Sequence, residues 1–121
     1  MRESNASKLA EYAIQSLIDR KALNPISLDM SELPNAPTDY FIIAHGTSDT
    51  HVESMANELV RNLRKELGEK PIHIEGKENA EWILIDYFDV VVHIFLEEKR
   101  KFYDLESLWG DAKIKSFELS S

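Results

Sequence analysis

The chain of 121 residues has no cysteine, which excludes disulfides and thiolate metal sites. Glycine and proline are scarce, four of each, so the chain is neither collagen-like nor a linker. Basic residues are also short. The 14 Lys and Arg against 22 Asp and Glu leave a formal charge of −8. That disfavours direct binding to bare nucleic acid, where Lys and Arg must neutralise phosphates. A basic partner suits the chain better, because opposite charge steers the encounter. No hydrophobic run approaches the length of a membrane span. The opening MRESNASKLAEYAIQSL lacks the apolar core of a signal peptide and is neither Arg-rich nor acid-poor. A cytoplasmic location is the expectation.

What is present describes one soluble globular domain, 43% apolar and 30% charged. Residues 69–111 hold 11 acids and 5 bases, so −6 of the −8 lies there. Leu9, Ala13 and Leu17, with Ala10, Ile14 and Ile18, predict a helix over 7–22, stopped by Asn24-Pro25. Ile26–Met30 alternates as a half-exposed strand. Asp39–His45 is apolar on both alternating sets, as expected of an inner strand covered on both faces. Val52, Met55, Ala56, Leu59, Val60, Leu63 and Leu67 predict a second helix. Thr50 with Glu53 forms a capping-box pattern at its start, with Ser48 and Asp49 as alternative caps. Gly68 and Pro71 end it. Short strands follow at 71–75, from Trp82, and up to Phe95. A last helix begins near Glu97, with Phe102, Leu105 and Trp109 on one face and Gly110 at its end. The order predicts an α+β domain with a mixed five-stranded sheet over residues 1–112. Residues 113–121 read as a loose tail.

Candidate chemistry is thin. His45, His51, His73 and His93 form no short-spaced metal pair. The junction HGTSDTH, residues 45–51, could aim backbone N–H groups at an anion. However, it matches neither phosphate-loop pattern, and the nucleophile elbow fails because Thr50 stands where glycine is needed. A divergent metal-dependent nucleotidyltransferase would need Asp86 and Asp89 beside the Gly46-Thr47-Ser48 turn. An ordinary helix entry explains the same residues.

The hairpin AEWILIDYFDVVVHIF, residues 80–95, is more informative. Strand periodicity puts Trp82, Leu84 and Asp86 on one face and Ile83 and Ile85 on the other. A two-residue turn at Tyr87-Phe88 sets His93 opposite Trp82, and a three-residue turn sets Ile94 there. Trp82 is then either core or the aromatic anchor of an interface, rimmed by Glu75, Glu78, Glu81 and Asp86.

The motifs G-T-S-x-x-H-V, W-I-x-x-D, D-V-x-V-H and Y-x-L-E-x-L-W occur in that order. On these motifs the chain resembles the ribosomal silencing factor S family (RsfS, or iojap-like proteins) up to about Ala112. Phe88 departs from the glycine usual in the family's turn, which suggests a wider turn here. The resemblance implies a translational repressor, not an enzyme, with no cofactor. Such a protein binds the large ribosomal subunit through its fourteenth protein and blocks joining of the small subunit. The resemblance also implies a role in large-subunit biogenesis, a homodimer, and a fold similar to the nucleotidyltransferase fold without its catalytic carboxylates. The family's contact Trp falls on Trp82. Leu84 and Asp86 share its face, and Glu75, Gly76 and Glu81 flank the strand. His93, His51, Thr47 and Ser48 also match the motifs and read as structural. The last helix, with Phe102, Tyr103 and Trp109, is the candidate dimer surface.

Overall fold

A computed structural model describes residues 5–117. The elements are α1 (Asn5–Asp19), β1 (Leu23–Asp29), β2 (Tyr40–Gly46), α2 (Asp49–Leu67), β3 (His73–Glu75), β4 (Trp82–Asp86), β5 (Val90–Leu96), α3 (Glu97–Tyr103), α4 (Leu105–Leu108) and β6 (Lys113–Ser116). Among the described residues the strands form one sheet in the order β3-β4-β5-β2-β1-β6. The β2–β5 pair is parallel and the other pairs are antiparallel. The result is a small α+β domain with a mixed sheet, of six strands rather than five. The sixth, β6, lies in the segment read as a loose tail. Its side chains are all exposed, and main-chain pairing with β1 and an exposed Lys113–Glu32 contact place it, so no apolar pattern announces it. Residues 118–121 of that expected tail lie outside the described residues, as do 1–4. No helix among the described residues is long and apolar enough to cross a membrane.

Both long helices are amphipathic and cover one face of the sheet. Leu9, Ala13 and Leu17 of α1 and Met55, Leu59 and Leu63 of α2 pack on Ile42, Ile83, Ile85, Val92 and Ile94, all buried. The inner strand β2 is covered on both faces, as its continuous apolar run predicts. Helix α2 starts at Ser48 rather than at the Thr50 box, because the Ser48 hydroxyl accepts the His51 N–H at 3.1 Å. Gly68 ends it in the left-handed region, φ +69°.

The opposite face carries a second, smaller core of Ile26, Leu28, Met30, Phe41, Ile43 and Phe95. Leu33, Leu105, Trp109 and Ala112 close over it. The expected last helix is broken in two at Asp104, which adopts φ +49°. The break separates Phe102 from Leu105 and Trp109, so Phe102 stays 78% exposed rather than sharing their partly buried face.

The β4–β5 register differs from both expected alternatives. Phe95 stands opposite Trp82, and His93 opposite Leu84. The turn is a tight two-residue one at Phe88-Asp89, not a wider one: Tyr87 N–H bonds the Val90 carbonyl at 2.8 Å. Phe88 has φ +78°, and the Asp89 N–H bonds the Tyr87 carbonyl at 3.0 Å. These are the marks of a γ-turn of the rare positive-φ kind. Bonds hold the strained residue: Phe88 N–H to Asp86 Oδ1 at 2.7 Å, and Thr38 Oγ1 to the Phe88 carbonyl at 2.8 Å. The Phe88 side chain is itself exposed. Phe88→Gly is therefore expected to stabilise the fold by about 1 kcal/mol, read as a higher urea midpoint. An unchanged or lower midpoint would show that the turn carries no such strain.

Candidate docking face on the β4–β5 hairpin

Leu84, Trp82 and Asp86 share one face of β4, as their alternation predicts, and all three are half-buried. Glu75 pairs with Leu84 and His73 with Asp86 across the β3–β4 ladder, so the edge of this face is charged. His73 Nε2 bonds the Glu75 carboxylate. Asp86 braces the hairpin turn through Phe88 N–H.

Trp82 is neither plain core nor a free surface ring. It stacks on buried Phe95 at 5.0 Å and meets Tyr103 of α3 at 4.5 Å. Its indole N–H donates to His93 Nδ1 at 3.0 Å. Phe102 meets Tyr103 edge to face at 5.1 Å. An aromatic ridge thus climbs from buried Phe95 through half-buried Trp82 to exposed Tyr103 and Phe102. Tyr103, a candidate for the dimer surface from the sequence, is not placed on Trp82 by any local pattern. The signal was only its presence in the Y-x-L-E-x-L-W motif.

The remaining candidates are placed differently. Gly76 follows β3 with φ +88°, and a Cβ there would run into the Trp82 carbonyl oxygen. Only glycine lets this loop close beside the strand. Glu81 leans toward α3, 3.7 Å from Lys99 Nζ. It lines a cleft of about 680 Å³ with Thr47, Ser48, Asp49, Glu97 and Glu98.

His51 and His93 are both held by hydrogen bonds inside the fold. His51 Nδ1 accepts the Thr47 N–H at 3.1 Å, and its Nε2 stands 2.9 Å from the Arg20 carbonyl. Nε2 therefore carries the proton and donates. His93 is 3% exposed, and burial pushes its pKa down to about 4. With Nδ1 occupied as an acceptor, the ring is neutral and its proton sits on Nε2.

The nucleotidyltransferase constellation is not assembled. Asp89 adjoins the start of β2, through Tyr40 N–H to the Asp89 carbonyl. Gly46 ends that strand, six residues on, roughly 20 Å at about 3.3 Å per residue. Among the described residues no three His, Asp or Glu gather as a metal site.

A family model described as "Ribosomal silencing factor during starvation" matches residues 3–121. A Halalkalibacterium halodurans protein named ribosomal silencing factor RsfS is 39% identical over 111 residues, 92% of this chain and 93% of its own. A mouse protein named mitochondrial assembly of ribosomal large subunit protein 1 is 37% identical over 83 residues, 67% of this chain and 35% of its own. A crystal structure of a Chromobacterium violaceum protein matches with a TM-score of 0.82 at 38% identity, covering 97% of this chain and 95% of that one.

Proposed function

The chain belongs to the ribosomal silencing factor family, and from that premise we propose that it represses translation by binding the large ribosomal subunit. In this reading it docks on the subunit's fourteenth protein and sterically blocks the small subunit, working in the cytoplasm without catalysis or cofactor. The observation that carries the reading is Trp82, a large aromatic ring held half out of the sheet beside Leu84 with acidic Glu75 and Asp86 on the same face. An aromatic anchor with a charged rim is the usual make-up of a binding hot spot. The net charge of −8 favours a basic partner. The name of the mouse relative adds support for a large-subunit target and for a part in its biogenesis. The free chain is a homodimer in this reading, with exposed Phe102 and Tyr103 as its apolar surface.

Co-sedimentation with purified large subunits tests the proposal. The wild-type chain is expected to pellet at low salt and to be released as salt screens the acidic rim. Trp82→Ala should weaken binding by at least about 2 kcal/mol. Because that variant also loses the contacts to Phe95 and Tyr103, Leu84→Arg serves beside it. The introduced cation opposes a basic partner while leaving the aromatic ridge in place. A wild-type chain that stays in the supernatant at low salt overturns the proposal.

A further inference from the structure

We propose that His93 is a positioning residue for docking, fixing the Trp82 indole in the orientation that the hairpin face presents. This rests on the docking reading above.

His93 lies diagonally across the ladder from Trp82, since Trp82 faces Phe95 and His93 faces Leu84. A diagonal neighbour is within reach of a long aromatic side chain. Indole has one polar group, a donor, and here it points inward to His93 Nδ1 at 3.0 Å. The other ring nitrogen of His93, Nε2, is buried and has no hydrogen-bond partner among the described residues. Around the ring stand Phe41, edge-on at 4.5 Å, and Phe95, stacked at 6.2 Å, with Leu84 and Ile43 as the cross-strand partners of His93. For stability alone histidine is a poor choice at this position. An apolar side chain of similar size would fill the site and leave no donor idle. What histidine adds is an acceptor for the indole.

The consequence falls on the anchor. A half-exposed tryptophan without this bond satisfies its N–H with water by swinging outward, away from Phe95 and Tyr103. Bonded, the ring has one pose, with its N–H edge inward. A side chain already fixed in its bound pose loses no rotamer freedom when the partner arrives.

Two variants separate positioning from packing. His93→Asn keeps an acceptor, because Oδ1 takes the place of Nδ1, but it leaves a void beside Phe41. His93→Leu fills the void and has no acceptor. Each is made in a Trp109→Phe background, so that Trp82 is the sole indole. The readouts are hydrogen exchange of the indole N–H by NMR, the urea midpoint, and affinity for purified large subunits. His93→Leu should release the indole N–H to exchange and weaken binding about tenfold, one ordered side chain's worth. His93→Asn should bind more tightly than His93→Leu even where its urea midpoint is lower. The inference is overturned if His93→Leu releases the indole yet binds like the parent. It is equally overturned if affinity follows the urea midpoint in both variants, or if the indole stays protected in His93→Leu. Should His93→Leu fail to fold, the comparison of His93→Asn with the parent decides: retained protection and affinity support the inference, and affinity lost while the indole stays protected overturns it. A parent chain that does not bind large subunits is a separate result, which removes the docking reading itself.

Discussion

Arg100→Ala is expected to destabilise the fold by about 3–5 kcal/mol, the range for stripping one partner from a buried charge cluster. Arg100 is 5% exposed. Its Nε bonds Glu106 Oε2 at 3.0 Å. Its Nη1 donates to the Asn24 carbonyl at 2.8 Å and stands 3.0 Å from His45 Nδ1. The Leu23 carbonyl is 3.4 Å away. These carbonyls belong to the irregularity between Leu23 and Ile26, where the β1–β2 register shifts around Asn24, φ +49°. A bulge leaves backbone groups without ladder partners, and here the guanidinium fork supplies them from α3. His45 must be neutral to accept from a cation. Its pKa is lowered, by burial first and by Arg100 second. Removing the guanidinium leaves a carboxylate, an imidazole and two carbonyls without their partner. Arg100→Lys keeps the charge but not the fork, so it should lose less than the alanine variant. Urea unfolding checks both. A loss below about 1 kcal/mol for Arg100→Ala, the range of a surface ion pair, would show that the cluster is solvated rather than buried.

The sequence made some of this legible, and the reasons differ by element. Helix α2 could be read because its apolar residues keep a helical period over 19 residues and a glycine stands at its end. Strand β2 could be read because both faces are apolar. The shared face of Trp82, Leu84 and Asp86 follows from pleat geometry alone. The cross-strand partners could not be read, because they depend on turn length. Phe88 occupies a positive-φ site that its residue type argues against, which made the tight turn look wide. Strand β6 could not be read because no side chain of Lys113–Ser116 is buried. Arg100 could not be singled out in EEKRKFY, where three neighbouring cations look alike and only tertiary packing selects one. The bond between Trp82 and His93 depends on the same register: both residues stand in the motifs, but nothing local joins positions eleven apart.

Acid is expected to unfold the protein early, with His93 as a main cause. Burial holds the His93 pKa at about 4 in the fold against 6.5 in the open chain. Above the open-chain value both states are neutral there, and the group contributes nothing to pH dependence. Between 6.5 and about 4 the unfolded chain binds a proton that the fold refuses, so stability falls as pH falls. At about 1.4 kcal/mol per pH unit the full window amounts to roughly 3 kcal/mol. His45 shifts in the same direction and steepens the same window. Glu58, whose pKa is lowered chiefly by its bond to Arg20, adds its loss only at lower pH, below the ordinary carboxylate value. His93→Leu isolates the main term. Unfolding free energies at about pH 7 and about pH 4.5 should differ by less in the variant than in the wild type, by up to roughly 3 kcal/mol. An equal difference in both proteins would mean that His93 takes up its proton in the fold as easily as in the open chain. That outcome is incompatible with a ring 3% exposed whose Nδ1 is occupied by the indole of Trp82.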